Sequence, residues 1–165
     1  MAECTRLESV QPERVREFES RPLRLKVEVS INHFNNMETK KLTLSILPEK
    51  LGICHLDKNT PIPSWALEGA SFISIGKTRN ELSIICPQDK IPGGVMFEKD
   101  WRAFKIEGPL GFTATGIVSS ISTPLAKAGI SIMYISTYET DHVLVEEHNL
   151  EKAEEILGEF CDIKK

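Results

Sequence analysis

The chain has 165 residues, 41% hydrophobic and 27% charged, enough to bury the core of one ordinary domain or of two small ones packed together. Its 20 basic and 24 acidic residues leave a net charge of −4, which argues against nucleic acid as the main partner, because phosphate binding needs a positive surface. No run approaches the roughly 18–20 consecutive apolar residues that span a bilayer, and the N-terminus lacks the apolar core of a secretory signal, so the cytosol is the expected compartment and no membrane partner is expected.

Residues 1–22 are mixed in charge and interrupted by proline, with room for a short helix at 13–19 or for no regular element at all. Leu23, Leu25, Val27, Val29 and Ile31 then alternate with polar residues, the period-two mark of a half-buried strand. A polar loop over 32–38 leads to a second strand pattern at 42–47, so a hairpin is plausible although its loop is long. Residues 1–40 therefore read as an added N-terminal extension, partly disordered or hairpin-forming.

The rest of the chain repeats itself. A shift of 60 residues lays Trp65 to Ile75 over Leu125 to Ile135 without a gap, with identities at Ala66/Ala126, Gly69/Gly129, Ser71/Ser131 and Ile75/Ile135. Further on, Glu81 lies over Asp141 and Ser83-Ile84-Ile85 over Val143-Leu144-Val145; upstream, Leu44 and Ile46 lie over Phe104 and Ile106. A period this long means two copies of one supersecondary unit. The expected boundaries are 41–100 for the first copy and 101–165 for the second.

The second copy is the more complete. Residues 101–107 alternate as a strand, and Gly108-Pro109-Leu110-Gly111 breaks it. Residues 113–128 put Ile117, Val118, Ile121 and Leu125 on one helical stripe, with Pro124 inside and Gly129 as the expected C′ residue of positive φ. Strands are expected at 131–136 and 142–146, joined by a turn at 138–141. Asn149 is placed to cap a last helix whose apolar face is Leu150, Ala153, Ile156, Leu157 and Phe160, and 161–165 can start a fourth strand. The order βαββαβ is the ferredoxin-like split βαβ arrangement. The first copy keeps the strand pair at 71–75 and 82–86, but Pro61 and Pro63 leave only a short turn at 64–69 for its first helix, and Pro92-Gly93-Gly94 erodes its second. The expected class is α+β, with two ferredoxin-like units in tandem, the first degenerate.

Cys4, Cys54, Cys86 and Cys161 are scattered without a CxxC pair, and His33, His55, His142 and His148 include no i, i+4 pair, so neither a metal nor another cofactor is expected. The thiols read as buried or idle in a reducing compartment. HxxxH, GxSxG and P-loop patterns are absent, and adjacent Asp141 and His142 would diverge on a strand, so no catalytic constellation converges and no enzyme is expected.

The run from Gly108 to Ile117, GPLGFTATGI, followed by Pro124 to Ile132, PLAKAGISI, resembles the first loop, helix and second strand of ACT domains. Residues 136–145, STYETDHVLV, together with PIPSWA at 61–66 and ELSIIC at 81–86, resemble the tandem-ACT subfamily, which includes short bacterial ACT proteins and the cytosolic arginine sensors of animals. The resemblance covers about residues 42–160. It implies a non-catalytic regulatory protein that binds a free amino acid, a basic one among the candidates, at a seam between ACT units. A protein partner or a homodimer would receive the signal. Leu110, Gly111, Phe112 and Thr113 are then the candidates for a ligand carboxylate, because a glycine-bearing loop opening a helix presents unpaired N–H groups. Across the seam, Ser136, Thr137, Tyr138 and Asp141 are the candidates for an ammonium or guanidinium group. The competing reading is an ACT-pair interaction scaffold that has lost its ligand.

Overall fold

The computed structural model describes residues 41–68 and 71–164. The N-terminal extension, with its strand pattern at 23–31, its short helix at 13–19, Cys4 and His33, and also Gly69, lies outside the described residues.

Among the described residues, eight strands and two α-helices follow in order. They are β1 (Thr43–Ile46), β2 (Leu51–Asp57), β3 (Ser74–Lys77), β4 (Glu81–Pro87), β5 (Met96–Ile106), α1 (Ile117–Lys127), β6 (Met133–Ser136), β7 (Asp141–Glu146), α2 (Leu150–Gly158) and β8 (Asp162–Lys164). Single 3-10 turns at Ser64–Leu67 and Gln88–Lys90 stand where the first half would carry helices. The arrangement is a mixed α+β, ferredoxin-like fold.

Strand β5 organises it. Its second half pairs antiparallel with β7 along one edge and with β1 along the other. Its first half pairs with β2, and β2 pairs with β4, which pairs with β3. Strands β1 and β2 thus form one interrupted ribbon lying antiparallel to β5. The leading part of each ribbon extends the sheet that the trailing part of the other builds. Between Leu51↔Trp101 and Ile53↔Glu98 the register slips by one residue, and Asp100 there takes φ 61. A bulge with one residue in the left-handed region bends its strand and sharpens the twist. The Gln88 side-chain oxygen accepts from the Asp100 N–H at 2.6 Å, which offsets part of the cost of that conformation.

The bend closes the sheet over itself. On one face, α1 and α2 cover Phe104, Ile106, Val143 and Val145 with Ile121, Leu125, Ala153 and Leu157. On the other, Leu51, Phe72 and Ile85 from the first half cover Ala103 and Leu144. Residues 142–145 are consequently all buried, a continuous run of the kind that strands covered on both faces require.

Several expectations from the sequence change. Strand β2 is an additional element, hidden because its apolar residues do not alternate strictly. The strand expected at 71–75 begins only at Ser74, since Phe72 turns inward to stack on His142 at 4.2 Å. The 60-residue offset holds from β4 to β7 but not upstream: 24 residues separate Asp57 from its partner Glu81, whereas 35 separate Ile106 from Asp141. The 11-residue difference equals the length of α1.

In the second half, α1 starts at Ile117 rather than at 113, because Gly116 takes φ 85 and ends the preceding turn. Its C-terminus is as expected: Gly129 has φ 76, and Ile130 N–H reaches the Leu125 carbonyl at 2.9 Å, a Schellman closure. Val118 leaves the apolar stripe and is 49% exposed. Asn149 stands at the N-cap of α2 but makes no capping bond; its amide nitrogen lies 3.1 Å from His148 Nε2. Phe160 is exposed rather than on the buried face of α2. Glu147, just before α2, lies against Arg102 at 3.4 Å and Lys50 at 3.7 Å. Strand β8 runs parallel to β1, not directly beside β5. Among the described residues, no helix is long and apolar enough to cross a membrane.

His142 is the one buried polar residue of the core among those described, and its Nδ1 has no hydrogen-bond partner. Burial holds its pKa below the usual value, Lys105 adds to the effect, and Asp141 and Glu107 oppose it. In the unfolded chain the ring has an ordinary value near 6.5 and takes up a proton first as pH falls. The fold therefore has the full benefit of the neutral ring above about pH 6.5 and loses it progressively below. The thermal midpoint of the parent should drop more between pH 7.5 and 5.5 than that of His142→Phe, which keeps a stacked ring without the titrating nitrogen. Equal drops would clear His142.

Candidate functional site

Strand β5 ends at Ile106, and the chain then forms a loop that must pass close under the β6–β7 turn. Leu110 N–H donates to the Glu139 carbonyl at 2.9 Å. Gly108 permits this approach: a Cβ at that position would overlap the same carbonyl oxygen. Ala114 N–H then bonds to the Gly111 carbonyl at 2.8 Å, closing a turn before Gly116 starts α1.

The β6–β7 turn is held by Thr137. Its hydroxyl donates to the Thr140 carbonyl at 2.6 Å and accepts from the Thr140 N–H at 3.3 Å, so it serves the turn. Antiparallel pairing of β6 with β7 sets Ser136 opposite Asp141 and Tyr134 opposite Val143. These side chains share the helix-side face of the sheet.

Between loop and turn lies a cavity of about 510 Å³, within the range of small-molecule sites. Leu110, Gly111 and Phe112 line it on the loop side, and Ser136, Thr137, Tyr138 and Asp141 on the turn side. Thr113 does not line it; its place on the wall is taken by Ala114, Ile117, Val118 and Ser119. Those residues follow from the late start of α1, which the left-handed Gly116 signals in retrospect.

Two features give the cavity its chemistry. Gly116 brings no side chain to cap α1, so the first N–H groups of this 11-residue helix lack internal partners, and the residues bearing them border the cavity at the positive end of the helix dipole. Asp141 is half-buried, with one hydrogen bond, from Tyr134 Oη to Oδ2 at 2.8 Å, and no ion pair among the described residues. At the rim, Phe112 and Tyr138 are both more than three-quarters exposed and meet edge to face at 5.0 Å. The arrangement can take a ligand carrying a carboxylate at one end and a cation at the other.

The described thiols, Cys54, Cys86 and Cys161, do not line the cavity. Burial pushes Cys54 up to about 12 and Cys161 up to about 11, and raises Cys86 as well. A thiol so placed is a poor nucleophile.

An ACT domain family model matches residues 96–159, and a second model, of an N-terminal domain, matches residues 49–94. The Cytosolic arginine sensor for mTORC1 subunit 1 of Homo sapiens is 36% identical over 107 residues, covering 60% of this chain and 31% of its own length. That of Bos taurus is 43% identical over 95 residues, covering 53% and 29%. The chain thus spans under a third of the length of these curated relatives. Among solved structures, a protein of Agrobacterium tumefaciens is 39% identical, with 76% of this chain and 94% of that one covered and a TM-score of 0.71. The ligand-free regulatory subunit of aspartate kinase from Thermus thermophilus has a TM-score of 0.55 over 73% of this chain and 99% of that one, at 13% identity, a likeness of fold alone.

Gly108→Ala should destabilise the protein by roughly 1–3 kcal/mol, the usual cost of forcing extra volume into a closed contact. Gly111→Ala, with only the Thr113 hydroxyl at 3.9 Å from the new carbon, should leave the thermal midpoint nearly unchanged. If the two variants melt alike, the loop does not depend on the Glu139 contact.

Proposed function

This chain belongs to the ACT-domain proteins related to the cytosolic arginine sensors, and from that membership we propose that it is a non-catalytic sensor binding a free amino acid in the cavity between the 107–116 loop and the β6–β7 turn. One observation carries the reading: Asp141, a carboxylate with no ion pair among the described residues, shares a cavity with the uncapped N-terminus of α1. The α-carboxylate of the ligand takes the free N–H groups of Ile117, Val118 and Ser119 at the start of α1, across from Gly111 and Phe112 on the cavity wall, as anions do at helix N-termini. A cationic group takes Asp141, with Ser136 and Tyr138 beside it. The relatives are named as cytosolic arginine sensors for mTORC1. A basic amino acid as ligand, a protein as receiver and a cytosolic location are carried over from that name as part of the proposal.

The two family models divide the chain at 94–96, close to the boundary between residues 41–100 and 101–165, and support reading the body as two ACT-like units in tandem, the first degenerate. Strand β5 crosses the boundary at 100/101 yet lies wholly within the residues that the ACT model matches, and its first half pairs with β2, so the units are joined by strand pairing rather than by a linker. The site stands at a seam of the second unit, with its exposed aromatic rim open to a further surface.

A thermal-shift screen of the free amino acids tests the reading. Ligand at about 100 times its dissociation constant stabilises the fold by about 2.7 kcal/mol, so a cognate ligand raises the midpoint by several degrees. Asp141→Ala should weaken binding by about one to two powers of ten, the equivalent of a charge-assisted hydrogen bond of roughly 1.5–3 kcal/mol. Asp141→Asn should do nearly the same while keeping the shape, and Lys127→Ala should not. If no amino acid shifts the midpoint, the scaffold reading takes its place. A ligand held as tightly by Asp141→Ala would mean that the cation end is elsewhere.

A further inference from the structure

We propose that Tyr134 is a positioning residue that sets the charge selectivity of this site, by holding the Asp141 carboxylate in one orientation. The inference rests on the amino-acid site proposed above and deepens it.

Tyr134 does not line the cavity. It lies beneath it on β6, with its ring packed among the apolar residues that α1 covers. Its hydroxyl donates to Asp141 Oδ2 at 2.8 Å. Burial, and then Asp141 itself, push the phenol above its ordinary value, so the oxygen keeps its proton and the direction of the bond is fixed. Oδ1 is left without a partner among the described residues.

A carboxylate on a short side chain turns broadly about its last torsion when nothing holds it. The phenol stops that turning. It occupies one lone pair of Oδ2 and leaves Oδ1 at a set direction on the cavity wall. A neutral donor orients the carboxylate without cancelling its charge, as a lysine or arginine in the same place would. The wall therefore presents a full, pre-oriented negative charge, which rewards a cation much more than a neutral hydrogen-bond donor of the same shape. Positioning of this kind acts on the ligand's charged end alone.

The experiment is titration calorimetry on the full chain with L-arginine, L-lysine and L-citrulline, the last an uncharged isostere of arginine. The proteins compared are the parent, Tyr134→Phe, Asp141→Asn and the double variant. Tyr134→Phe keeps the ring in the core and removes only the donor. It should weaken arginine and lysine roughly tenfold and citrulline little, so the arginine-to-citrulline preference falls by about the same factor. In the Asp141→Asn background the same change should alter that preference less than about twofold. If Tyr134→Phe weakens all three ligands equally, or acts as strongly without Asp141, the tyrosine is a structural filler and the inference fails. Unchanged preference in Tyr134→Phe overturns this inference alone, since parent binding stands. A parent that binds none of the three, or citrulline as well as arginine, overturns the basic-ligand reading of the site together with it.

Discussion

The antiparallel pairing of β5 with the broken ribbon of β1 and β2 is the contact on which the other elements depend. Without it, the strands built on β5 (β7 and then β6) and those built on β2 (β4 and then β3) would be two separate groups with no hydrogen-bonded link between them. The pairing is possible over such a length because both ribbons change partners midway. The slip at Asp100 falls where β5 changes partners, from β2 along its first half to β1 and β7 along its second. Polar side chains gather at the turning point. Gln88 bonds Asp100, while Arg102 reaches the Leu47 carbonyl at 3.1 Å and lies against Glu147. A bend in a sheet exposes backbone groups, and these contacts meet part of that demand.

From that bend follows the burial of both faces of β7. Its odd-numbered residues, Val143 and Val145, meet the helices; its even-numbered ones, His142 and Leu144, meet the first half of the chain. Asp141 opens the strand on the helix side, just where α1 has not yet begun to cover the sheet. The cavity is therefore a gap left by geometry: the helix starts late, at Ile117, because the loop before it is spent reaching Glu139. The same loop that keeps the helix short at its start supplies one wall of the site.

Much of the second half was legible because its signals are local. Short apolar runs on either side of a polar turn mark β6 and β7 within two residues of their ends, and Gly129 marks the close of α1 by a requirement that only a residue tolerant of positive φ meets cheaply. The first half was harder for physical reasons. Strand β2 is buried unevenly on its two faces and shows no clean alternation, and Phe72 looks like part of a strand although it is spent on a tertiary stack. A gapless offset cannot show that the two connections differ by 11 residues, the length of α1.

The candidate site divides along the same line. Leu110, Gly111, Phe112, Ser136, Tyr138 and Asp141 carry recognisable loop and turn chemistry, and all of them border the cavity. Thr137 carries the same chemistry, but its hydroxyl is consumed by the turn, which a sequence reading cannot distinguish from a free donor. Tyr134 is the reverse case. In sequence it is one more apolar-looking position in a strand. Only the register that sets Ser136 opposite Asp141, and Tyr134 two residues back on the same face, brings its hydroxyl to the carboxylate. Alternation tells which face a side chain takes; register tells whom it meets there, and register is a property of two strands at once.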